Sequence, residues 1–262
     1  MTNNIAYLIN STPKYYYILE LHLVLLRRYA PNLNWQVYLA TEEPEHPVCK
    51  LLVEKYNVKL LLLEKENTSF LMSRKRSLEL LPEEVTIVLP MQEDFLLERF
   101  INENAIKNSV NYLDEDPRLF CVRYMPCPGP QSSESYSEWL RILEEYDIYG
   151  FTFQATLWKR LYCQQWYDAI TKKSKEYFNI DSKRLEVDIN IAENADGQKL
   201  YYSLFKTMIQ IGWPRVYKES NAVYHCPWPY RPTAIVKGVL QPFAKEIAVR
   251  EGVKINSDFL NL

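Results

Sequence analysis

The N-terminal third of this chain alternates between short apolar runs and amphipathic segments, and this alternation restricts the fold more than any other feature. The apolar runs with strand character are 4–10, 35–41, 58–64 and 86–91. Segments with helical spacing lie between them, at 14–29, about 46–56 and 68–81. Strict alternation with short connections predicts an α/β fold with a mostly parallel sheet covered by helices on both faces. Right-handed crossovers would make this part of the chain Rossmann-like.

The fourth run ends in two adjacent carboxylates, Glu93 and Asp94. In open α/β sheets, ligands bind beyond the carboxyl ends of the parallel strands. Carboxylates at that place can hold a hard divalent cation, which in turn can hold a diphosphate. A simpler interpretation is that these acids begin the next helix, where they complement its dipole.

Composition narrows the classes of function. The chain has 262 residues, of which 47% are hydrophobic and 24% charged, as in a soluble globular protein. The formal charge of −2 gives no reason to expect a nucleic-acid partner. Only 6 glycines are present, and no glycine-rich phosphate loop is found, so any phosphate must be bound in another way.

The five cysteines are scattered and lack the spacing of a zinc site or a disulfide framework. They predict a reducing, cytoplasmic location. No apolar run approaches the length that a transmembrane helix needs, so none is expected.

The rest of the chain predicts a single domain over 1–262. We expect helices at 98–113, 160–178, within 186–207 and at 240–251, a strand at 118–124, a strand followed by a helix at 148–158, and a long loop at 125–135. Residues 1–115 would form a nucleotide half and 116–262 an acceptor half.

Five segments together resemble glycosyltransferases of the GT-A fold, in particular a group found in microbial and viral glycan synthesis. The resemblance covers roughly 4–240 and rests on Ser11-Thr12 after the first strand, Met91 to Phe95, Phe153 to Trp158, Ile191 to Gln198, and Pro232 to Gly238. It implies a mostly parallel mixed sheet flanked by helices. It also implies transfer of a hexose from a nucleoside diphosphate sugar, UDP-linked, to a glycan or glycoconjugate hydroxyl.

In that class the acidic turn is usually Asp-x-Asp and binds Mn²⁺ or Mg²⁺. The corresponding triplet here is Gln92-Glu93-Asp94, in which an amide replaces the first acid. The resemblance implies Asp94, Glu93 and His225 as metal ligands. The implied donor-binding residues are Ser11, Thr12, Lys14, Thr41, Arg74, Arg76, Glu93, Asp94, Lys237 and Gly238, with Arg76 preferred to Arg74.

Each of these residues also has a purely structural interpretation. Ser11, Thr12 and Thr41 are typical helix caps, the basic residues at 74–76 are typical of a solvated helix face, and a lone histidine is often structural. A carboxylate that accepts the acceptor's proton is predicted among Glu186, Asp188 and Glu193. Gln154, Trp158 and Trp228 are predicted to bind the acceptor. Trp213 and Tyr230 are further aromatic candidates for stacking on a sugar face, while core packing is the alternative for the tryptophans.

Two other functions remain open on the sequence. A sugar-phosphate nucleotidyltransferase shares this type of sheet, but usually carries a glycine-rich basic loop where this chain has Asn10-Ser11-Thr12-Pro13. A non-catalytic glycan-binding protein on a transferase-like fold would explain Gln92.

Overall fold

The computed structural model describes residues 5–64, 69–126, 129–130, 132, 134–145, 147, 149–178, 191–214, 225–231 and 233–255. A mixed sheet of eight strands runs through these residues in the order β3-β2-β1-β4-β8-β6-β9-β7. Its strands are β1 (Ile5–Asn10), β2 (Gln36–Thr41), β3 (Lys59–Leu62), β4 (Ile87–Gln92), β6 (Leu119–Arg123), β7 (Arg141–Ile142), β8 (Thr156–Lys159) and β9 (Ile209–Gly212). Two small antiparallel pairs accompany it: β5 (Leu96–Leu97) with β10 (Tyr230–Arg231), and β11 (Ile235–Val236) with β12 (Val239–Leu240).

The helices cover both faces of the sheet. They are α1 (Leu19–Tyr29), α2 (Pro47–Tyr56), α3 (Phe70–Leu80), α4 (Glu103–Glu115), α5 (Arg160–Phe178), α6 (Ala195–Phe205) and α7 (Pro242–Glu251), with a 3₁₀ helix at Pro13–Ile18 before α1. Local sequence explains several of their ends. The side chain of Ser69 caps α3 by accepting from the Met72 N–H at 3.2 Å. Gly252 ends α7 at φ 68°, where a residue without Cβ is favoured.

Most strands point in one direction. β1, β2, β3 and β4 are parallel, and β6 and β9 are parallel to each other. β8 runs antiparallel between β4 and β6, so β6 and β9 point the same way as β4. The carboxyl ends of β1, β2, β4, β6 and β9 therefore meet at one edge of the sheet, which we call the carboxyl edge.

Alternate side chains of the strands enter two cores. Tyr7 and Ile9 of β1 pack with α1, α2, α4 and α7, whereas Ala6 and Leu8 pack on the other face with α3, α5 and α6. This period of two is the expected behaviour of a strand buried on both faces.

The predicted α/β fold, with a mostly parallel mixed sheet flanked by helices, is confirmed. Three local predictions need correction. The 14–29 segment begins as a 3₁₀ helix, the 98–113 helix starts only at Glu103, and the segment before β8 forms bends instead of a strand. Asn194 caps α6 by accepting from the Gly197 N–H at 2.8 Å. No helix in the described ranges has both the length and the apolar character needed to cross a membrane.

Candidate functional site

The acidic turn, Gln92-Glu93-Asp94, lies at the carboxyl edge beside the end of β1. Asn10 pairs with Gln92 in the β1–β4 register and with Ala40 in the β1–β2 register. The chain reverses directly after Gln92, whose carbonyl accepts from the Phe95 N–H at 3.2 Å. The parallel strands thus bring the ends of β1, β2 and β4 together, as predicted for a ligand site.

Both carboxylates of the turn are largely buried. Glu93 and Asp94 are each 8% exposed. Burial, with the neighbouring Asp94 charge as a second cause, raises the pKa of Glu93 to about 8. Burial likewise raises the pKa of Asp94 to about 6. The guanidinium of Arg74 acts in the opposite direction on both groups, because it favours their ionised forms.

A buried histidine holds the turn from the side of α1. His22 Nδ1 lies 3.1 Å from the Glu93 carbonyl oxygen, and His22 Nε2 lies 2.6 Å from the Tyr7 hydroxyl. Burial lowers the pKa of His22 to about 4, so the ring is neutral at pH 7. A carbonyl can only accept, so Nδ1–H donates to Glu93 and the Tyr7 hydroxyl donates to Nε2. Sequence reasoning gave His22 no role, and only this long-range contact identifies it.

A second element binds the turn from the C-terminal part of the chain. The Asp94 carbonyl accepts from the Ala234 N–H at 2.9 Å, and Asp94 Oδ2 accepts from the Ile235 N–H at 3.3 Å. Ile235 opens β11, which pairs with β12 across a two-residue turn. We call β11, Lys237, Gly238 and β12 the Lys-Gly hairpin.

The Lys-Gly hairpin turns through two residues of positive φ. Lys237 has φ 50° and Gly238 has φ 78°, the combination of a type I′ turn. A Cβ added to Gly238 would lie 3.6 Å from Lys14 Nζ. The exposed Lys14, predicted to bind the donor, is therefore brought next to the hairpin that carries Lys237.

The two predicted arginines of α3 have different surroundings. Arg74 is buried, its guanidinium lies 3.3 Å from the centre of the Phe70 ring, and it lines a small cavity of about 20 Å³ with Asn10, Gln92 and Gln154. Arg76 is exposed, and it pairs with Glu79 at 3.0 Å. The structure therefore favours Arg74 over Arg76, because Arg74 is buried and acts on both carboxylates of the turn.

The polar residues that follow β1 and β2 also differ in whether they are buried or exposed. Ser11 is buried, and its side chain forms a hydrogen bond that stabilises ionised Glu93. Thr12 is exposed beside it. Thr41 is fully buried, with its hydroxyl bonded to the Tyr16 hydroxyl and to the Glu43 N–H. The prediction that Thr41 binds the donor is corrected, because its hydroxyl is already hydrogen-bonded inside the protein.

Both tryptophans predicted to bind the acceptor are core residues. Trp228 is 0% exposed and stacks near Trp35 and Tyr124. Trp158 is 3% exposed, packs on Phe120 and lines the small cavity of about 20 Å³, which has no room for a sugar. Neither ring face is open to a sugar, so this prediction is corrected. Gln154, the third member of the set, lies at the carboxyl edge, where its Oε1 accepts from the Tyr230 hydroxyl at 2.6 Å.

Among the three predicted catalytic bases, Glu186 and Asp188 lie outside the described residues. Glu193 is half-buried, and its Oε1 accepts from the Phe153 N–H at 3.0 Å. It lines a cavity of about 320 Å³ that also contains Glu145, Asp147 and Tyr202. Phe153 and Gln154 line the small cavity of Arg74, and the Phe153 N–H connects their segment to Glu193.

The predicted set of three metal ligands is not assembled. His225 is exposed, and within the described ranges no group of three or more His, Cys, Asp or Glu side chains is placed to hold a metal ion. Glu93 and Asp94 remain together as a pair. The prediction that His225 completes their site is therefore corrected.

Comparison with known proteins concerns the architecture. No protein-family model and no curated protein sequence matches the chain. Glycosyltransferase GlyE of Streptococcus pneumoniae TIGR4 is 10% identical at a TM-score of 0.46, over 99% of this chain and 63% of GlyE. Mannosyltransferase PcManGT from Pyrobaculum calidifontis, in complex with GDP-Man and Mn²⁺, is 13% identical at a TM-score of 0.47, over 80% of this chain and 55% of PcManGT.

A third structure is of another class of enzyme. The 4-diphosphocytidyl-2C-methyl-D-erythritol synthase from Anaerococcus prevotii DSM 20548 is 14% identical at a TM-score of 0.45, over 86% of this chain and 97% of that chain. This chain spans less than two thirds of GlyE and of PcManGT.

Proposed function

We propose that this protein is a GT-A-like glycosyltransferase that moves a hexose from a nucleoside diphosphate sugar, UDP-linked, to a hydroxyl of a glycan or glycoconjugate. The observation that supports this most is the link between the acidic turn and the Lys-Gly hairpin through Asp94. Two carboxylates and two lysines, Lys14 and Lys237, are thereby gathered at the carboxyl edge. Such a mixture of charges suits a diphosphate and its cation.

The donor would lie across the ends of β1 and β4. Lys14 and Lys237 would neutralise the diphosphate as it leaves, and Gly238 allows its backbone to approach closely. Arg74 would keep the carboxylates ionised from the side of α3. Ser11 and Thr12 would contact the ribose and base. Fixed charges aimed at the departing group are the kind of help that usually dominates catalysis.

Glu93 and Asp94 fit a divalent cation by their chemistry. They are adjacent oxygen donors whose pKa values are raised by burial, so a bound cation would offset the cost of ionising them. They would hold Mn²⁺ or Mg²⁺, which would supply positive charge to the diphosphate. The Gln92 amide leaves this turn with one negative charge fewer than Asp-x-Asp.

The acceptor would approach from residues 116–262, opposite the nucleotide half of 1–115. Glu193 would accept the proton of the attacking hydroxyl, since its second oxygen is not required by the Phe153 hydrogen bond. Glu186 and Asp188 are the other candidates for this role. Gln154, which lines the small cavity of Arg74, would contact the acceptor.

Calorimetry with UDP, with and without Mn²⁺, followed by transfer assays with a panel of UDP-sugars, tests the proposal. We expect UDP binding that Mn²⁺ strengthens and that Glu93→Gln and Asp94→Asn abolish. Glu115→Gln is the matched control, because Glu115 is an exposed acid at the end of α4. If UDP binds neither with Mn²⁺ nor without it, a UDP-linked transferase is contradicted. Formation of a sugar nucleotide from UTP or CTP and a sugar phosphate would favour a nucleotidyltransferase.

A further inference from the structure

Two tryptophans stack at the carboxyl edge, beyond the acidic turn. Trp213 follows Gly212, the last residue of β9, and Trp139 lies on the segment that leads into β7. Their ring centroids are 6.3 Å apart and their planes differ by 13°. Trp139 is 60% exposed, whereas the other five tryptophans of the chain are buried or half-buried. We call this pair the aromatic platform.

Several hydrogen bonds hold the segment that carries Trp139. The N–H groups of Tyr136 and Ser137 both donate to the Leu140 carbonyl, at 2.9 and 3.3 Å. The guanidinium of Arg141 donates to three carbonyls of the same tip, those of Ser137, Glu138 and Leu140. Arg141 also pairs with Gly212 in the β7–β9 register. The exposed ring is therefore presented by a fixed backbone, which lowers the entropy lost when a ligand stacks on it.

The platform and the acidic turn lie on one edge at a defined separation. β8 and β6 lie between β4 and β9, which places the end of β9 three strand spacings from the end of β4. At 4.7–4.9 Å per strand, the separation is about 14 Å. A donor sugar bound at the acidic turn would not extend this far, but an acceptor of several sugar residues would.

The chemistry of the platform suits a saccharide. A pyranose ring has an apolar face of C–H groups and a rim of hydroxyls, so it can cover an indole face while its hydroxyls stay in water. Trp139 stacks on Trp213 and is still 60% exposed, which is costly because a large apolar surface remains in contact with water. The charged residues beside it, Glu138 and Arg141, offer polar groups at the rim.

We propose that Trp139 and Trp213 form a subsite that stacks a sugar residue of an extended saccharide acceptor, about three strand spacings from the point of transfer. This inference rests on the proposed transferase function. It predicts selection for acceptors long enough to reach from the acidic turn to β9. It also replaces Trp158 and Trp228 as the aromatic contacts of the acceptor.

The experiment is a titration of intrinsic tryptophan fluorescence with maltohexaose, cellohexaose and chitohexaose, and with glucose and N-acetylglucosamine. We expect saturable quenching by at least one hexasaccharide and none by the monosaccharides. Trp139→Ala should weaken that binding about tenfold, and Trp139→Phe less, because a ring face is retained. Phe100→Ala is the matched control, since Phe100 is 67% exposed on another part of the surface. No quenching by any hexasaccharide, or equal affinity in Trp139→Ala, would overturn the inference.

Two further measurements separate this inference from the proposed function. UDP binding should be unchanged in Trp139→Ala, because the platform does not contact the donor. In transfer assays the variant should raise KM for the hexasaccharide with kcat unchanged. If UDP fails to bind the wild-type protein while a hexasaccharide binds at Trp139, the transferase function is wrong but the saccharide subsite stands.

Discussion

Asp94 Oδ2 accepts a hydrogen bond from the Ile235 N–H at 3.3 Å, across a separation of 141 residues in the chain. The Asp94 carbonyl accepts from the adjacent Ala234 N–H. One residue of the acidic turn therefore fixes the position of the Lys-Gly hairpin and also contributes a negative charge to the carboxyl edge. These two contributions can be separated by substitution.

Asp94→Asn should leave the fold intact and remove the activity. The amide oxygen of Asn can still accept from Ile235, but the charge is lost, and we expect a fall in transfer rate of about 100-fold or more. Asp94→Ala should in addition lose the link to the hairpin and about 1 kcal/mol of unfolding free energy. Transfer assays and thermal unfolding measure the two effects. A fully active Asp94→Asn protein would contradict the role of the charge.

The stability of the metal-free protein should fall as pH rises from about 4 to about 8. The pKa of Glu93 is raised to about 8 and that of Asp94 to about 6, so the folded state binds more protons than the unfolded state across this range. Glu93→Gln should weaken this dependence, since its side chain stays neutral. Its Tm should match the wild type near pH 4 and exceed it near pH 8. Thermal unfolding in EDTA tests this, with Glu115→Gln as the control.

His22 should position the acidic turn, and its two hydrogen bonds allow a matched test. His22→Phe leaves the buried Glu93 carbonyl without its donor, at a cost of about 1–3 kcal/mol, and should also weaken UDP binding. Tyr7→Phe removes only the hydrogen bond at the other side of the ring. It should reduce stability but leave UDP affinity close to that of the wild type. His22→Asn, which keeps a donor on a short side chain, should recover part of the affinity. Equal losses of UDP affinity in His22→Phe and Tyr7→Phe would show that the histidine is only a core residue.

The parts of the site that the sequence predicted are those that depend on local order along the chain. The apolar run of β4 followed by Glu93 and Asp94 fixes both a strand and the position of two acids at its carboxyl end. Parallel strands then bring Ser11 to the same edge, because alternation of strands and helices determines their direction. These inferences needed no contact between distant segments.

The parts that failed depend on packing between distant segments. Nothing near Trp228 in the sequence shows that it is enclosed by Trp35 and Tyr124, and nothing near His22 indicates that it reaches Glu93. Aromatic residues in a Pro-rich stretch are equally consistent with a sugar platform and with a core. The distinction depends on how the segment folds back over β1 and β4, which periodicity does not reveal.

The choice between Arg74 and Arg76 has a geometric basis that leads to a last prediction. Residues two positions apart on an α-helix are separated by about 200° around its axis, so only one of them can face the carboxyl edge. Arg74 faces it and influences both carboxylates, whereas Arg76 pairs with Glu79 on the exposed side. Arg74→Ala should lower UDP affinity about tenfold in the presence of Mn²⁺, because Glu93 becomes harder to ionise. Arg74→Lys should lie in between, since it keeps the charge but loses the planar contact with Phe70. Arg76→Ala, which removes surface ion pairs with Glu79 and Glu64, should bind UDP as the wild type does. Calorimetry on the three variants measures these affinities, and a loss in Arg76→Ala as large as that in Arg74→Ala would contradict the prediction.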